Sequence, residues 1–356
     1  MAARGRSWRG AQEVTVRLEP REGDKVAQVP ALAYPTLVGE PAVGDRVLLN
    51  VNALALGLGT GGYAFVVAIP DRLPPDKAAG DGDGHLVKAR YTPLQTVVAG
   101  VDEQSSPHYA ALADAEDLAG MPVVTADLHS ALPAVVAGVH AQAADAAVAY
   151  VMTDGGALPA WFSRTVDALG ARLAGMVTAG QAFGGDLEAA SLHSGLLAAR
   201  HVLGADVTVV AQGPGNLGTG TRFGFSGVAV GEAVNAAAVL GGQPVGALRI
   251  SGADPRPRHR GVSHHSLTAY GQVALAGADL VVPGGLDPEL HREVMAALDA
   301  LPSRHRIVTV DVAGLDEALR ASPARLSTMG RDLDSDHAYF LAAAAAGRYA
   351  ACLLAP

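Results

Sequence analysis

From residue 96 onward, short and almost wholly apolar runs alternate with stretches long enough for crossover helices, which leaves few architectures open to the chain. The runs are residues 96–101, 123–126, 147–152, 174–178, 207–211, 245–250, 279–282 and 307–310. Apolar residues follow one another in these runs rather than alternating with polar ones, the pattern of a strand buried on both faces of a parallel sheet. An α/β domain over residues 91–356 follows: a large, mostly parallel sheet with flanking helices. The open doubly wound form is preferred, and a closed β/α barrel is the alternative that the same number of strand–helix units allows. In both, ligands sit at the carboxyl ends of the strands, so the loops to inspect are known before any motif is read.

Residues 1–90 read differently. Short β-rich runs at 13–18, 26–32, 46–51 and 63–68 are separated by turn signals such as Arg21-Glu22-Gly23-Asp24 and Val43-Gly44-Asp45. They predict a small barrel-like β domain, followed over 70–84 by a charged linker rich in proline and glycine. With 49% hydrophobic and 17% charged residues, the chain has the composition of a well-packed globular protein. A net charge of −9 argues against a nucleic-acid partner, which needs a basic surface. The single cysteine, Cys352, rules out an intramolecular disulfide and a thiolate metal cluster, and fits a cytoplasmic location. The basic N-terminus lacks the apolar core of a secretory signal. No run approaches the roughly 18 apolar residues of a membrane span, so no membrane partner is expected.

The most informative loop follows the run at 207–211. Gly213-Pro214-Gly215-Asn216-Leu217-Gly218 has the glycine spacing of a dinucleotide fingerprint, but Pro214 lacks the N–H that a phosphate cradle uses. The loop also follows a late strand rather than the first, and Gly57 to Gly62 repeats the spacing inside the β-rich domain. Thr219 stands where a phosphate-loop lysine would be. A looser anion-binding loop remains, in which Thr219, Thr221 and Arg222 add side-chain donors.

A second candidate spans residues 251–266. Arg256, Arg258 and Arg260 cluster in an otherwise acidic chain, just before a helix that Ser263 is placed to cap and that runs to about residue 275. They read as anion ligands, or else as a charged loop paired with carboxylates at a subunit contact. His264 and His265 are adjacent, so on a helix they diverge by about 100° and do not ligate one metal in the usual one-turn manner. One of them is a candidate general acid or base. Asp127 and Asp154 directly follow apolar runs and are the preferred catalytic carboxylates; Asp186 and Asp311 are weaker members of that set. His193 reads as structural in a helical run over 187–203. In the polar loop over 327–340, Ser335 and Asp336 suit the start of the terminal helix, and Arg331 is a ligand contact if that loop folds back. The chain has no GxSxG elbow, no HExxH and no kinase signature.

Four separated segments, residues 46–63, 84–95, Gly213-Pro-Gly-Asn-Leu-Gly-Thr-Gly-Thr221 and Arg258-His-Arg-Gly-Val-Ser-His-His265, together resemble a bacterial family catalogued as domain of unknown function 3866. The resemblance spans nearly the whole chain. It implies a cytoplasmic bacterial protein and transfers no activity, cofactor or metal. It also draws Lys88, Arg90 and Tyr91 toward the same cleft. The expectation from the residues is binding of an anionic or phosphorylated small metabolite, with hydrolysis or group transfer as the reaction class. The alternative is a non-catalytic sensor or scaffold working through a homodimer or a partner interface.

Overall fold

The computed structural model describes residues 1–19, 27–59, 61–75 and 84–354. The expected turn at 21–24, most of the linker, and Thr60 lie outside the described residues. Five N-terminal strands, β1 (Ala3–Trp8), β2 (Ala11–Arg17), β3 (Gln28–Ala33), β4 (Leu48–Asn50) and β5 (Ala64–Ala68), pair in the order β1-β2-β3-β5-β4. All pairs are antiparallel except β3 with β5. Among the described residues β1 and β4 remain the edges, so this is an open sheet and not a closed barrel.

The expected strand at 96–101 does not join the large sheet. Its first residues form β7 (Thr96–Val98), which pairs antiparallel with β6 (Leu86–Lys88) in a separate ribbon. The large sheet contains β8 (Pro122–Ala126), β9 (Val148–Thr153), β10 (Gly175–Ala179), β11 (Leu187–Ala189), β12 (Val207–Gln212), β13 (Gln243–Ala247), β16 (Asp279–Pro283) and β17 (Arg306–Val310). Between β13 and β16 lies a two-stranded ladder, β14 (Ile250–Ser251) with β15 (Gly261–Val262). The eight strands are all parallel in the order β11-β10-β9-β12-β8-β13-β16-β17, so the domain is an open doubly wound sheet and the barrel alternative is set aside. The strand β11 was expected to be helical; its helix, Leu192–His201, starts later, at the Ser191/Ser194 capping box.

Both faces of the sheet are covered, as continuous apolar strands require. On one face Val124, Tyr150, Met152 and Val209 pack under the helices Leu132–Gln142 and His337–Cys352. Their chain neighbours Val123, Ala149, Val151 and Val210 face the helices Leu192–His201 and Val230–Val239. This arrangement decides where a ligand can sit. The chain leaves β8 for a helix on the first face and leaves the adjacent strand β12 for a helix on the opposite face. Neighbouring strands whose connections part in this way open a crevice at their carboxyl ends. No helix among the described residues is long and apolar enough to cross a membrane.

Candidate functional site

Asp127 follows the last residue of β8, and Gln212 ends β12 beside it. The Gln212 amide nitrogen donates to the Asp127 carbonyl at 2.7 Å and to Asn216 Oδ1 at 2.9 Å. Asn216 Oδ1 also accepts from Ser226 Oγ and the Gly227 amide, both at 3.2 Å, and so ties the start of the glycine loop to its end. Within the loop, the Thr219 amide donates to the Gly224 carbonyl at 2.7 Å and Ser226 to Leu217 at 3.1 Å, giving a small hairpin with Gly218 opposite Phe225. Thr219 and Thr221 hydroxyls lie 3.2 Å apart and bond each other. The loop therefore uses much of its hydrogen-bonding capacity on itself, while the amides of Gly215, Asn216, Gly218 and Gly220 have no protein partner among the described residues.

The hairpin separates two environments. On one side, a cavity of about 520 Å³ is lined by Gly213, Pro214, Gly215, Asn216, His129 and Ser163, and is closed by Trp8, Gly61 and Tyr63 of the N-terminal unit. At its floor His129 is buried, with Nε2 2.7 Å from Ser163 Oγ and Nδ1 3.0 Å from the Tyr150 hydroxyl. Burial lowers the His129 pKa to about 4. Ser163 also caps the helix Arg164–Leu169 through the Val166 amide and is itself buried, so this serine–histidine pair is a structural lock at the cavity floor.

On the other side lie the arginine loop and the histidines. The β14–β15 ladder folds residues 252–260 back on themselves, returning His259 to the start of the helix His264–Thr268. Ser263 caps that helix, accepting from the His265 amide at 3.2 Å, and the helix continues in π form through Val273. The ring centres of His259, His264 and His265 lie 5.0, 4.9 and 4.4 Å apart, and one nitrogen of each falls within 4.8 Å of the others. Phe225 of the glycine loop stacks flat on His265, with centroids 3.7 Å apart and planes within 1°. Asp127 Oδ2 lies 3.6 Å from His265 Nδ1, and both atoms are buried without a hydrogen-bond partner, as is His264 Nε2. Burial first, then the charge of Arg249, lowers His259 to about 3; burial first, then His265 and Arg258, lowers His264 to about 4.

Under this cluster runs a buried network in which arginines alternate with aspartates. Arg249 meets Asp127 at 3.8 Å and Asp254 at 3.4 Å; Asp254 also holds Arg256 at 2.8 Å and Arg331 at 3.1 Å. Arg331 continues to Asp336 at 2.9 Å, and Asp336 accepts from Ser251 Oγ at 2.8 Å. The terminal loop does fold back, but its Arg331 serves this network. Asp336 is the residue before the terminal helix and makes no capping bond, because its carboxylate is turned to Arg331, while Ser335 bonds Asp332 instead of capping that helix.

The structure thus gathers Asp127, His264, His265, Arg256 and Arg258 around the hairpin carrying Gly213, Gly215, Asn216, Gly218, Thr219 and Thr221. It sorts the arginines. Arg256 forks onto Asp254 and Arg260 reaches Glu293 at 3.6 Å, whereas Arg258 has no carboxylate partner among the described residues. Its Nη1 lies 3.4 Å from where a side chain on Gly220 would begin, and its Nε donates to His259 Nε2 at 3.4 Å. Asp154 is elsewhere, accepting from the Gln181 amide at 2.8 Å beyond β12. Lys88 does not face the cleft. It is buried, with its ammonium on the carbonyls of Ala189 at 2.8 Å and Ala182 at 3.0 Å, and it anchors β6 to the sheet edge beside Glu188. Tyr91 is fully exposed and the Arg90 amide binds Gln181. The residue that sequence reasoning overlooked is His259, read only as a companion of the arginines. The signal was present as three histidines within residues 259–265.

A family described as Protein of unknown function (DUF3866) matches residues 30–347, which include every strand of the large sheet, the glycine loop, the arginine loop and the histidine cluster. The chain belongs to the DUF3866 family. No curated protein and no solved structure matches it. For this DUF3866 member, function has to be argued from the site itself.

Proposed function

We propose that the protein binds an anionic small metabolite in the crevice at the β8 and β12 ends and acts on it by hydrolysis or group transfer. The observation that carries this reading is Arg258. Alone among the three arginines of its loop it has no carboxylate among the described residues, and it stands between Gly220, whose amide has no partner among the described residues, and His259. An arginine left without a counter-ion beside free amides supplies charge-assisted donors to phosphate or carboxylate oxygens. Burial lowers the pKa of His264 to about 4, so its ring is neutral at pH 7 and has one unprotonated nitrogen as well as one N–H.

Calorimetric titration of the protein with inorganic phosphate and with a panel of phosphomonoesters tests this. The wild-type chain and Arg260→Ala should bind, and Arg258→Ala should lose at least about tenfold in affinity, the scale of one charge-assisted contact. Unchanged binding in Arg258→Ala contradicts the proposal. Binding without turnover of any ester moves the reading to the sensor alternative.

A further inference from the structure

We infer that His259, His264 and His265 form a binding site for a divalent transition metal of the zinc class, with Asp127 orienting His265 from behind. The site deepens the function proposed above by placing the metal beside the anion-binding Arg258, and it rests on separate observations. The first is convergence: three imidazoles from a folded-back loop and a helix start present nitrogens within 4.8 Å of one another. Tetrahedral zinc with nitrogens at about 2.0–2.1 Å needs separations of roughly 3.3 Å, so the widest pair has to close by about 1.5 Å, within reach of side-chain rotation.

The second observation is that buried polar atoms here lack partners. His264 Nε2, His265 Nδ1 and Asp127 Oδ2 are all buried without hydrogen bonds. A native interior rarely leaves such groups unpaired; Asp127 Oδ2 and His265 Nδ1, 3.6 Å apart, can answer each other, which leaves His264 Nε2 as the atom that points to a group completing it. The third observation is orientation. His259 Nδ1 lies 2.8 Å from Ser263 Oγ, so the ring donates there and leaves Nε2 unprotonated; the Nε2 lone pair accepts from Arg258 Nε at 3.4 Å, a long contact that metal binding has to displace. Asp127 Oδ2, 3.6 Å from His265 Nδ1, is placed to accept the proton of that nitrogen and leave Nε2 for the metal. A hydroxyl behind His259 and a carboxylate behind His265 are the arrangement that fixes tautomer and raises basicity in metal-bound histidines. The flat stack of Phe225 on His265 holds that ring in plane.

Arg249, Arg256 and Arg331 are matched by Asp127, Asp254 and Asp336, so that network adds no net charge, while Arg258, without a carboxylate among the described residues, leaves positive charge beside the site that a bound anion would offset together with that of the metal. Three neutral nitrogens suit zinc, copper or nickel better than calcium or magnesium, which take oxygen ligands. Three protein ligands also leave a fourth position open, where a bound water is acidified and a substrate oxygen can be polarised. Arg258 then stands where it can hold the anionic part of that substrate.

The test uses the full chain without an affinity tag, stripped with chelator and titrated with zinc chloride alone, then with cobalt(II) as a spectroscopic probe. One equivalent of zinc should bind at micromolar or tighter affinity. Cobalt should develop the intense visible bands of a low-coordinate nitrogen site. His259→Ala and His264→Ala should each abolish stoichiometric binding, and Asp127→Asn should weaken it by about 10- to 100-fold. Arg258→Ala should bind zinc as well as the wild type or better, so loss of phosphate binding and loss of metal binding are separable failures. Circular dichroism checks the fold of each variant, and the wild-type cobalt spectrum needs no variant. A wild-type chain that takes up no stoichiometric zinc and leaves the hexaaqua cobalt spectrum unaltered overturns the inference.

Discussion

Asp254 shows how single residues set the limits of this site. Its carboxyl is held well below the usual carboxylate range, first by hydrogen bonding to Arg256 and then by the charges of Arg256 and Arg331. A carboxylate with a depressed folded-state pKa contributes stability that is complete above its unfolded value, near 3.9, and is lost as pH falls below it. Asp254→Asn should therefore lower the unfolding free energy by about 3 kcal/mol at neutral pH, because Arg249 is left buried with one partner fewer. The gap between variant and wild type should narrow below about pH 4. Urea unfolding at several pH values measures both; a gap that stays constant down to pH 2 contradicts the assignment.

At the scale of elements, the alanine-rich helix His337–Cys352 has a composition that permits close approach: a Cβ on Gly347 would lie 2.0 Å from the Val135 carbonyl oxygen, and one on Gly138 would lie 1.9 Å from that of Ala344. The helices Leu132–Gln142 and His337–Cys352 thus meet backbone to backbone through their small residues. Neither backbone can yield as a flexible side chain would, so Gly138→Ala should destabilise the protein by about 3 kcal/mol despite alanine's better helix propensity. Thermal unfolding checks this; a Gly138→Ala melting temperature at or above wild type would show that the helices separate easily. The same elements show what was legible. Runs such as 207–211 and 279–282 announced buried parallel strands because apolar residues dominate them, with Thr208 and Asp279 the exceptions. The short strand β11 was hidden, since Leu187–Ala189 carries Glu188, whose charge is answered by Lys88 from a distant ribbon. Periodicity records what one segment buries, whereas this pairing is made between segments. His259 escaped for a related reason: the β14–β15 ladder that returns it to His264 and His265 has only two residues per strand.

The two largest sheets of the described residues meet beside the cavity. Trp8 Nε1 donates to the Trp161 carbonyl at 2.7 Å, Arg164 lies 4.6 Å over the Trp8 ring, and Arg9 reaches Asp186 at 2.8 Å. Tyr34, Phe65, Trp161, Phe162 and Phe183 continue this contact as an aromatic cluster. The N-terminal unit thereby walls the crevice from one side while the histidines and Arg258 occupy the other. The proposed ligand chemistry belongs to that second side, where the ends of β8 and β12 meet the arginine loop. Hydrogen–deuterium exchange of the full chain, with and without zinc chloride and inorganic phosphate, tests it most directly. Residues 212–227 and 256–266 should exchange more slowly when both are added, with β1 and β2 unchanged; protection confined to the N-terminal sheet, or no protection at all, would contradict the account.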